Sequence, residues 1–368
     1  MACGFDPLAG EEWKVMGLAP FGKKDPALHA RMRRMLRVEG LRLYGDNFAI
    51  LAELSAMRRP RGVPALEYAD VAHTGQLVFG ELMEALLREL HARTGCDRLV
   101  LGGGCALNSS FNGQILERTP FRELYVFPAP ADDGNAVGAA WLAYRRDHPR
   151  WRPPPRPISP YLGSTLDPDA LARVPTLGGL TPAPLAEGET AMTRAAELLA
   201  AGKIVAVAQG RAEFGPRALG NRSILADPRD PGVKDRLNAT VKLREEFRPF
   251  APSVLHEHGP EWFEGYAKSP YMERALRVSP ARRGRVPGVV HVDGTGRLQS
   301  VERESAPRFA ALIERFHALT GVPMVLDTSF NVMGKPIVHS VEDALAVFFT
   351  SGIDALVLED ALYEKPPR

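Results

Sequence analysis

The stretch from Gly210 to Leu255 constrains this chain more than any other. Across GRAEFGPRALGNRSILADPRDPGVKDRLNATVKLREEFRPFAPSVL it carries seven arginines and two lysines, and glycine or proline recurs every few residues. No single helix or strand tolerates that punctuation. Gly215-Pro216 and Gly220-Asn221 read as turns, so Arg217 and Arg222 sit where backbone bends aim side chains into a common space. Arginine offers a planar fork of donors matched to phosphate and carboxylate, and lysine adds a compact charge that can follow a migrating phosphate. A solvated loop of arginine–carboxylate pairs is the competing reading, because Glu213, Asp227, Asp230, Asp235, Glu245 and Glu246 share the run. Phe214, Phe247 and Phe250, with Pro249 and Pro252 beside the last two, argue against it. A solvated face rarely mixes charge with that many rigid apolar groups.

The 368 residues suffice for two cores, and 45% hydrophobic with 24% charged residues is an ordinary globular balance. A formal net charge of +2 neither demands nor excludes nucleic acid. Cys3, Cys96 and Cys105 lack the spacing of a disulfide framework or a zinc site, which favours a reducing, cytoplasmic setting. No window approaches the ~20 apolar residues of a membrane helix, and the start MACGFDPLAGEEWK lacks the regions of a secretory signal.

Along the chain, Gly10 to Gly22 reads as a packed loop in which Lys14 is an ordinary surface lysine. Val71, Leu77, Val78, Leu82, Leu86, Leu87 and Leu90 recur at helical spacing, predicting one helix over 67–94 or two broken near Gly75. Strand 98–101, the turn Gly102-Gly103-Gly104 and a helix over 106–116 follow. Such glycines either make a bare tight turn or let backbone approach a phosphate or sugar at a helix start. A second strand, 124–127, leads into Ala131-Asp132-Asp133-Gly134 and another helix, so both loops leave the same ends of neighbouring strands, where open α/β sheets bind ligands. Asp132 and Asp133 can cap that helix or hold a divalent metal. Arg145 to Pro160 changes composition, with five prolines from Pro153 to Pro160, and residues 151–164 read as a semi-rigid linker rather than an RNA contact. Beyond it come a helix over 187–201, a buried strand over 204–208, a strand over 324–328, a helix opened by Ser340 and a closing strand over 355–358. If Lys242-Leu243-Arg244 is extended, Lys242 and Arg244 share a face, as do Ser329 and Asn331.

The words EFGPRALGNRSILADPR, VKLREEFRPFAPS, HVDGTGRLQSV and DTSFNVMGKPIV resemble the nodulation-factor and antibiotic O-carbamoyltransferase family, from about Glu11 to the C-terminus. The resemblance implies an α/β chain of two units. Residues 1–150 would be the C-terminal portion of an actin/hexokinase-type ATPase-fold domain, the chain beginning inside it, and 165–368 a YrdC-like domain. The implied activity is O-carbamoyl transfer: carbamoyl phosphate yields carbamate, carbamate attacks ATP to give carbamoyl-adenylate and pyrophosphate, and the adenylate carbamoylates an acceptor hydroxyl. By the same resemblance, K-x-R and S-x-N surround the phosphates and acyl group. Lys242, Arg248, Arg297 and Ser329 are then the candidate catalytic residues, and Arg217, Arg244, Asn331 and Gly102, Gly103 and Gly104 the nucleotide-binding ones. Arg222 is a weaker candidate, and Lys335 is either an anion contact or a turn residue. ATP with Mg2+ is the implied cofactor, and Fe2+ or another divalent metal serves transfer. The aspartate of the second loop, aligned with Asp132, is a metal ligand in the family, beside two histidines four apart that these nine histidines do not reproduce. The expected partners are carbamoyl phosphate, a small-molecule or saccharide acceptor, and a partner chain or dimer completing the first unit; neither membrane nor nucleic acid is expected. Two other readings remain: threonylcarbamoyl-adenylate synthesis for tRNA modification, and a nucleotide-binding subunit that needs a partner for transfer.

Overall fold

The computed structural model describes residues 1–152 and 158–365, without the side chains of 177 and 178. The prolines of the expected linker at 153–157 therefore lie outside the described residues.

The first region opens with a short helix α1 (Trp13–Leu18), then α2 (Pro26–Met35), a two-stranded hairpin β1 (Arg37–Glu39) and β2 (Arg42–Tyr44), and α3 (Asn47–Ala56). Asp25 and Asp46 start α2 and α3 by accepting from the free N–H groups of the first turns. The periodic run after them forms α4 (Ala69–Thr94), unbroken at Gly75 and ended by Gly95 in the left-handed conformation. Strands β3 (Arg98–Leu101) and β4 (Glu123–Val126) pair in parallel, and α5 (Gly134–Asp147) follows. The helix expected over 106–116 does not form as one piece. A 3-10 turn at Gly104–Leu107 gives way to two single turns, Ser109–Asn112 and Ile115–Arg118, because the Asn108 side chain caps the first of them. Gly113 between them is held by tertiary contact: a Cβ there would lie 1.9 Å from the Ala275 carbonyl oxygen.

The second region is one eight-stranded mixed sheet. Its members are β5 (Val205–Ala208), β6 (Arg222–Ala226), β7 (Ala251–Leu255), β8 (Arg274–Arg277), β9 (Thr295–Val301), β10 (Met324–Ser329), β11 (Ala355–Leu358) and β12 (Ala361–Glu364). They lie in the order β12-β11-β5-β6-β10-β7-β9-β8, with β11/β5 and β7/β9 parallel and the other neighbours antiparallel. Strand β12 continues the chain beyond the closing strand expected from sequence. Helix α6 (Ala191–Ala200) starts at Thr190, three residues after its expected position, since Thr190 and Thr193 cap each other's backbone. It packs on α7 (Pro307–Thr320), and α8 (Val341–Thr350) starts at Ser340, whose hydroxyl accepts from Asp343 N. One continuous apolar core runs through this region from Leu166 to Tyr363. Phe309, Phe316, Phe330 and Phe348 are fully buried there, each worth roughly 2–3 kcal/mol by burial alone.

The regions meet over a polar seam. Asn112 Nδ2 donates to the carbonyls of Ala106 (2.7 Å) and Glu273 (2.9 Å), and the Arg274 guanidinium reaches the Leu124 carbonyl at 2.6 Å. Lys14, expected at an ordinary surface, instead bridges Glu11 at 2.7 Å and Glu245 at 2.8 Å. No helix among the described residues is long and apolar enough to cross a membrane.

Candidate active site

Strand β10 is the spine of the site. It lies between β6 and β7, and its last residue, Ser329, and the following Phe330 and Asn331 carry the chain off the end of this interior strand. Phe330 is buried in the core, and Phe330 N bonds the Arg222 carbonyl at 2.9 Å. Ser329 and Asn331 therefore flank an anchored residue and share a face, as the spacing predicts. Ser329 Oγ donates to Asn331 Oδ1 at 2.8 Å, and Asn331 Nδ2 donates to the Lys335 carbonyl at 2.8 Å. Lys335 itself is exposed and enters through its backbone alone.

Both side chains face a cavity of about 310 Å³ that Arg217, Arg244, Arg248 and Arg297 also line, with Trp13, Phe250, Asp327 and Thr328. The arginines arrive from three places. Arg217 follows the Gly215 turn, where φ is +120° and a Cβ would strike the Pro128 carbonyl. Arg244 and Arg248 come from the loop before β7, and Arg297 is the third residue of β9, not part of an exposed turn. Aromatic rings brace two of them: the Arg248 guanidinium lies 4.2 Å from the Trp13 ring centre and that of Arg244 4.5 Å from Phe250. Trp13 belongs to the first region, so the cavity is walled by both.

Lys242 reaches the site by another route than expected. Residues 238–242 form a π-helical turn, and Leu243 has φ +49°, so the segment is not extended. Lys242 turns inward, 2% exposed, behind the cavity wall. Its ammonium donates to the Ser329 carbonyl, Ser329 Oγ (3.2 Å), the Asn331 carbonyl (3.1 Å) and Asn331 Oδ1 (2.8 Å). It clasps the wall from behind while Arg244 faces the cavity. Arg222 is not in the common space predicted for it. It is fully buried on β6, where its guanidinium donates to the carbonyls of Gln209 (2.7 Å), Asn221 (2.9 Å), Gly210 (3.1 Å) and Ser164 (3.2 Å). It clamps the loop ahead of β6.

The electrostatics are those of a site short of negative charge. Burial pushes Arg217 down to about 10 and Arg244 to about 9, the latter aided by Arg248. Arg297 and Lys242 fall well below their ordinary ranges through burial first and neighbouring guanidinia second. Such a cluster is stabilised by whatever anion enters it.

Asp327 is the residue that sequence reasoning passed over. It is 1% exposed in the middle of a central strand, and burial pushes its carboxyl up to about 8 although the Ser223 and Ser253 hydroxyls and the Lys242 charge pull it down. The signal was available: a charged residue within the apolar run MVLDTS requires a reason.

The glycine loop and the expected metal ligand lie elsewhere. Gly102, Gly103 and Gly104 are exposed, and none of them lines the arginine cavity. Gly103, at φ +89°, donates to the Pro130 carbonyl at 2.7 Å, tying the two loops that leave the same ends of β3 and β4. A 3-10 turn follows it, so no α-helix start stands behind the loop. Asp132 is exposed, and Asp133 caps α5 through Gly134 N at 3.1 Å. Among the described residues no three His, Cys, Asp or Glu side chains gather as metal donors, so the surroundings of Asp132 do not fit a bound divalent ion.

Two halves of one family description match this sequence: "Carbamoyltransferase N-terminus" over residues 1–141 and "Carbamoyltransferase C-terminus" over 196–365. The chain belongs to the carbamoyltransferase family. The expectation that the first unit lacks its N-terminal part is not supported, since the N-terminal description matches from residue 1. Among curated relatives of this carbamoyltransferase-family chain, nodulation protein NolO of Bradyrhizobium diazoefficiens is 38% identical over 97% of this chain and 66% of its own length. Nodulation protein NolNO of Sinorhizobium fredii is 39% identical over 96% of this chain and 53% of its own. The chain thus spans between about half and two thirds of these relatives. Among solved structures, full-length HypF in the phosphate- and nucleotide-bound form aligns with 47% of this chain and 21% of its own, at 17% identity and a TM-score of 0.31, too low to bear on the site.

Proposed function

We propose that this carbamoyltransferase-family chain makes carbamoyl-adenylate from carbamoyl phosphate and ATP and passes the carbamoyl group to an acceptor hydroxyl. The observation that carries this is the four-arginine cavity at the end of β10, walled by Ser329 and Asn331. Carbamoyl phosphate first loses phosphate to water, leaving carbamate. A carbamate oxygen then attacks the α-phosphorus of ATP, and the bond to pyrophosphate breaks. This step needs charge neutralised and partners aligned more than it needs a protein base. Arg217, Arg244, Arg248 and Arg297 supply the first; the Ser329 hydroxyl and Asn331 amide supply the second, held in register by Lys242. Lys242 is then a positioning residue. In the second stage the acceptor hydroxyl attacks the carbamoyl carbon and AMP leaves. Magnesium would travel with ATP. Because no donor set gathers around Asp132 among the described residues, no step is assigned to a second metal.

The finer fold reading belongs to the same proposal: the mixed sheet of 165–368 as a YrdC-like unit and residues 1–150 as an ATPase-type unit. A second reading, a nucleotide-binding subunit that depends on a partner for transfer, is favoured by the bare surroundings of Asp132. Pyrophosphate release from ATP by the purified chain, with and without carbamoyl phosphate and without acceptor, separates the two. Release that requires carbamoyl phosphate, is not supported by threonine with bicarbonate and is lost in Ser329→Ala supports adenylate formation. ATP binding without any release supports the subunit reading.

A further inference from the structure

Counting protons behind the cavity wall assigns one to Asp327. Gln299 on β9 donates its Nε2 to the Leu219 carbonyl at 3.2 Å, a carbonyl that Tyr161 also engages through its hydroxyl at 2.9 Å. The amide orientation is thereby set, and Gln299 Oε1 faces Ser253 Oγ at 2.9 Å as an acceptor with no proton to give. The single hydroxyl proton of Ser253 must go to it. Yet Ser253 Oγ also lies 2.9 Å from Asp327 Oδ2. That contact is a hydrogen bond only if the proton comes from the aspartic acid, running Asp327 Oδ2–H to Ser253 Oγ–H to Gln299 Oε1. With a carboxylate instead, the hydroxyl would serve one acceptor and abandon the other inside a buried site, where an unmet polar group costs about 1–3 kcal/mol. Asp327 Oδ1 makes no close hydrogen bond, and with the Ser253 proton committed to Gln299 only the Ser223 hydroxyl remains to favour a negative charge there.

We propose that Asp327 is held as a neutral acid beneath the arginine cavity, so that it withholds its charge from a cluster whose Arg248 pairs with Glu245 at 3.4 Å, and polyphosphate binds there in a proton-dependent way. The proposal rests on the anion-site reading above and adds its regulation by pH. The groups facing Asp327 are consistent with it. From the cavity side comes Arg297 and from behind the wall Lys242; from the loop before β6 comes Glu213, a buried carboxyl that opposes a second negative charge; Tyr161 stands by that loop; β6 and β7 contribute the Ser223 and Ser253 hydroxyls, and β9 the Gln299 amide. Arg217, Arg244 and Arg248 line the same cavity. If Asp327 ionised, its carboxylate would neutralise part of this cluster and compete with the ligand's phosphates.

Calorimetry of inorganic pyrophosphate binding at pH 7 and pH 9, in buffers of different ionisation enthalpy, tests this. With the Asp327 carboxyl pushed up to about 8, the acid form prevails at pH 7 and the ion at pH 9. Asp327's share at pH 9 is then the uptake of about one proton and an about tenfold fall in affinity between the two pH values, over what Arg244, pushed to about 9, and pyrophosphate's own ionisation contribute. Asp327→Asn, whose amide still donates to Ser253, should lose that tenfold share of the fall and take up about one proton fewer. The same fall and the same proton uptake in both proteins would overturn the inference while leaving the anion site standing. Absence of pyrophosphate binding at every pH would overturn the site and the inference together. Gln299→Met offers an independent check. It frees the Ser253 proton for Asp327, so the pH midpoint of affinity should move down; an unmoved or raised midpoint would also overturn the proposal. Infrared difference spectra of wild type minus Asp327→Asn should show a carboxylic-acid band at pH 7 that fades as pH rises, and its absence at pH 7 counts equally against it.

Discussion

Two parallel strand pairs in this molecule have opposite fates. In the second region β5 and β11 run side by side, every residue of both is buried, and antiparallel strands extend the sheet on either side. In the first region β3 and β4 stand as a pair of their own: Val100 is 74% exposed, and the following helix α5 has no buried residue although Trp141, Leu142 and Tyr144 lie on it. Parallel strands normally carry cover on both faces. The difference teaches where this fold can support precise chemistry. The arginines that line the cavity are mounted on or beside fully covered strands, whereas the glycine loop and Asp132 leave β3 and β4 onto open surface.

The largest expected effect sharpens the covered side. Arg222→Ala removes a buried guanidinium that closes four carbonyls, and leaves the buried Glu213 carboxyl without its opposing charge. Denaturant unfolding should register a loss of about 3–5 kcal/mol; a loss under 1 kcal/mol would show that the loop ahead of β6 is held by something else. Next, Arg297→Ala should lower carbamoyl-phosphate-dependent pyrophosphate release by about 10²–10³-fold at unchanged melting temperature, the range seen when one charge-stabilising donor is lost. Asp132→Ala should change the same rate by less than about twofold. Equal losses in the two variants would break the comparison. The smallest effect belongs to the open side. Leu142→Glu should alter stability by less than about 0.5 kcal/mol, as surface changes do, while reducing the binding of an apolar fluorescent dye. Undiminished dye binding would place the sticky surface elsewhere.

Much of this was legible in the residues. Strands 98–101 and 355–358 are found where their apolar runs lie, the periodicity of 67–94 gives one long helix, and Ser340 caps as its spacing suggests. Six of the expected site residues, Arg217, Arg244, Arg248, Arg297, Ser329 and Asn331, converge on one cavity. What local sequence does not carry is the direction of a side chain when the backbone departs from regular geometry. The alternation rule fails for Lys242 because a π-turn and a left-handed Leu243 intervene. The turn reading fails for Arg222 because an arginine inside a central strand satisfies carbonyls rather than ligand. The broken helix over 106–116 answers to a contact 162 positions away, Gly113 against Ala275, and Asp327 owes its state to hydrogen-bond partners on two other strands.

That glycine contact reaches further than packing. Ala275, whose carbonyl leaves no room for a methyl group at position 113, is the residue paired with Arg297 across β8 and β9. The first region therefore bears on one wall of the arginine cavity through a position that has no side chain. An added methyl there would work as a shim, displacing strand β8 and with it the guanidinium beside it, so activity could be tuned or lost at a residue that never meets a substrate.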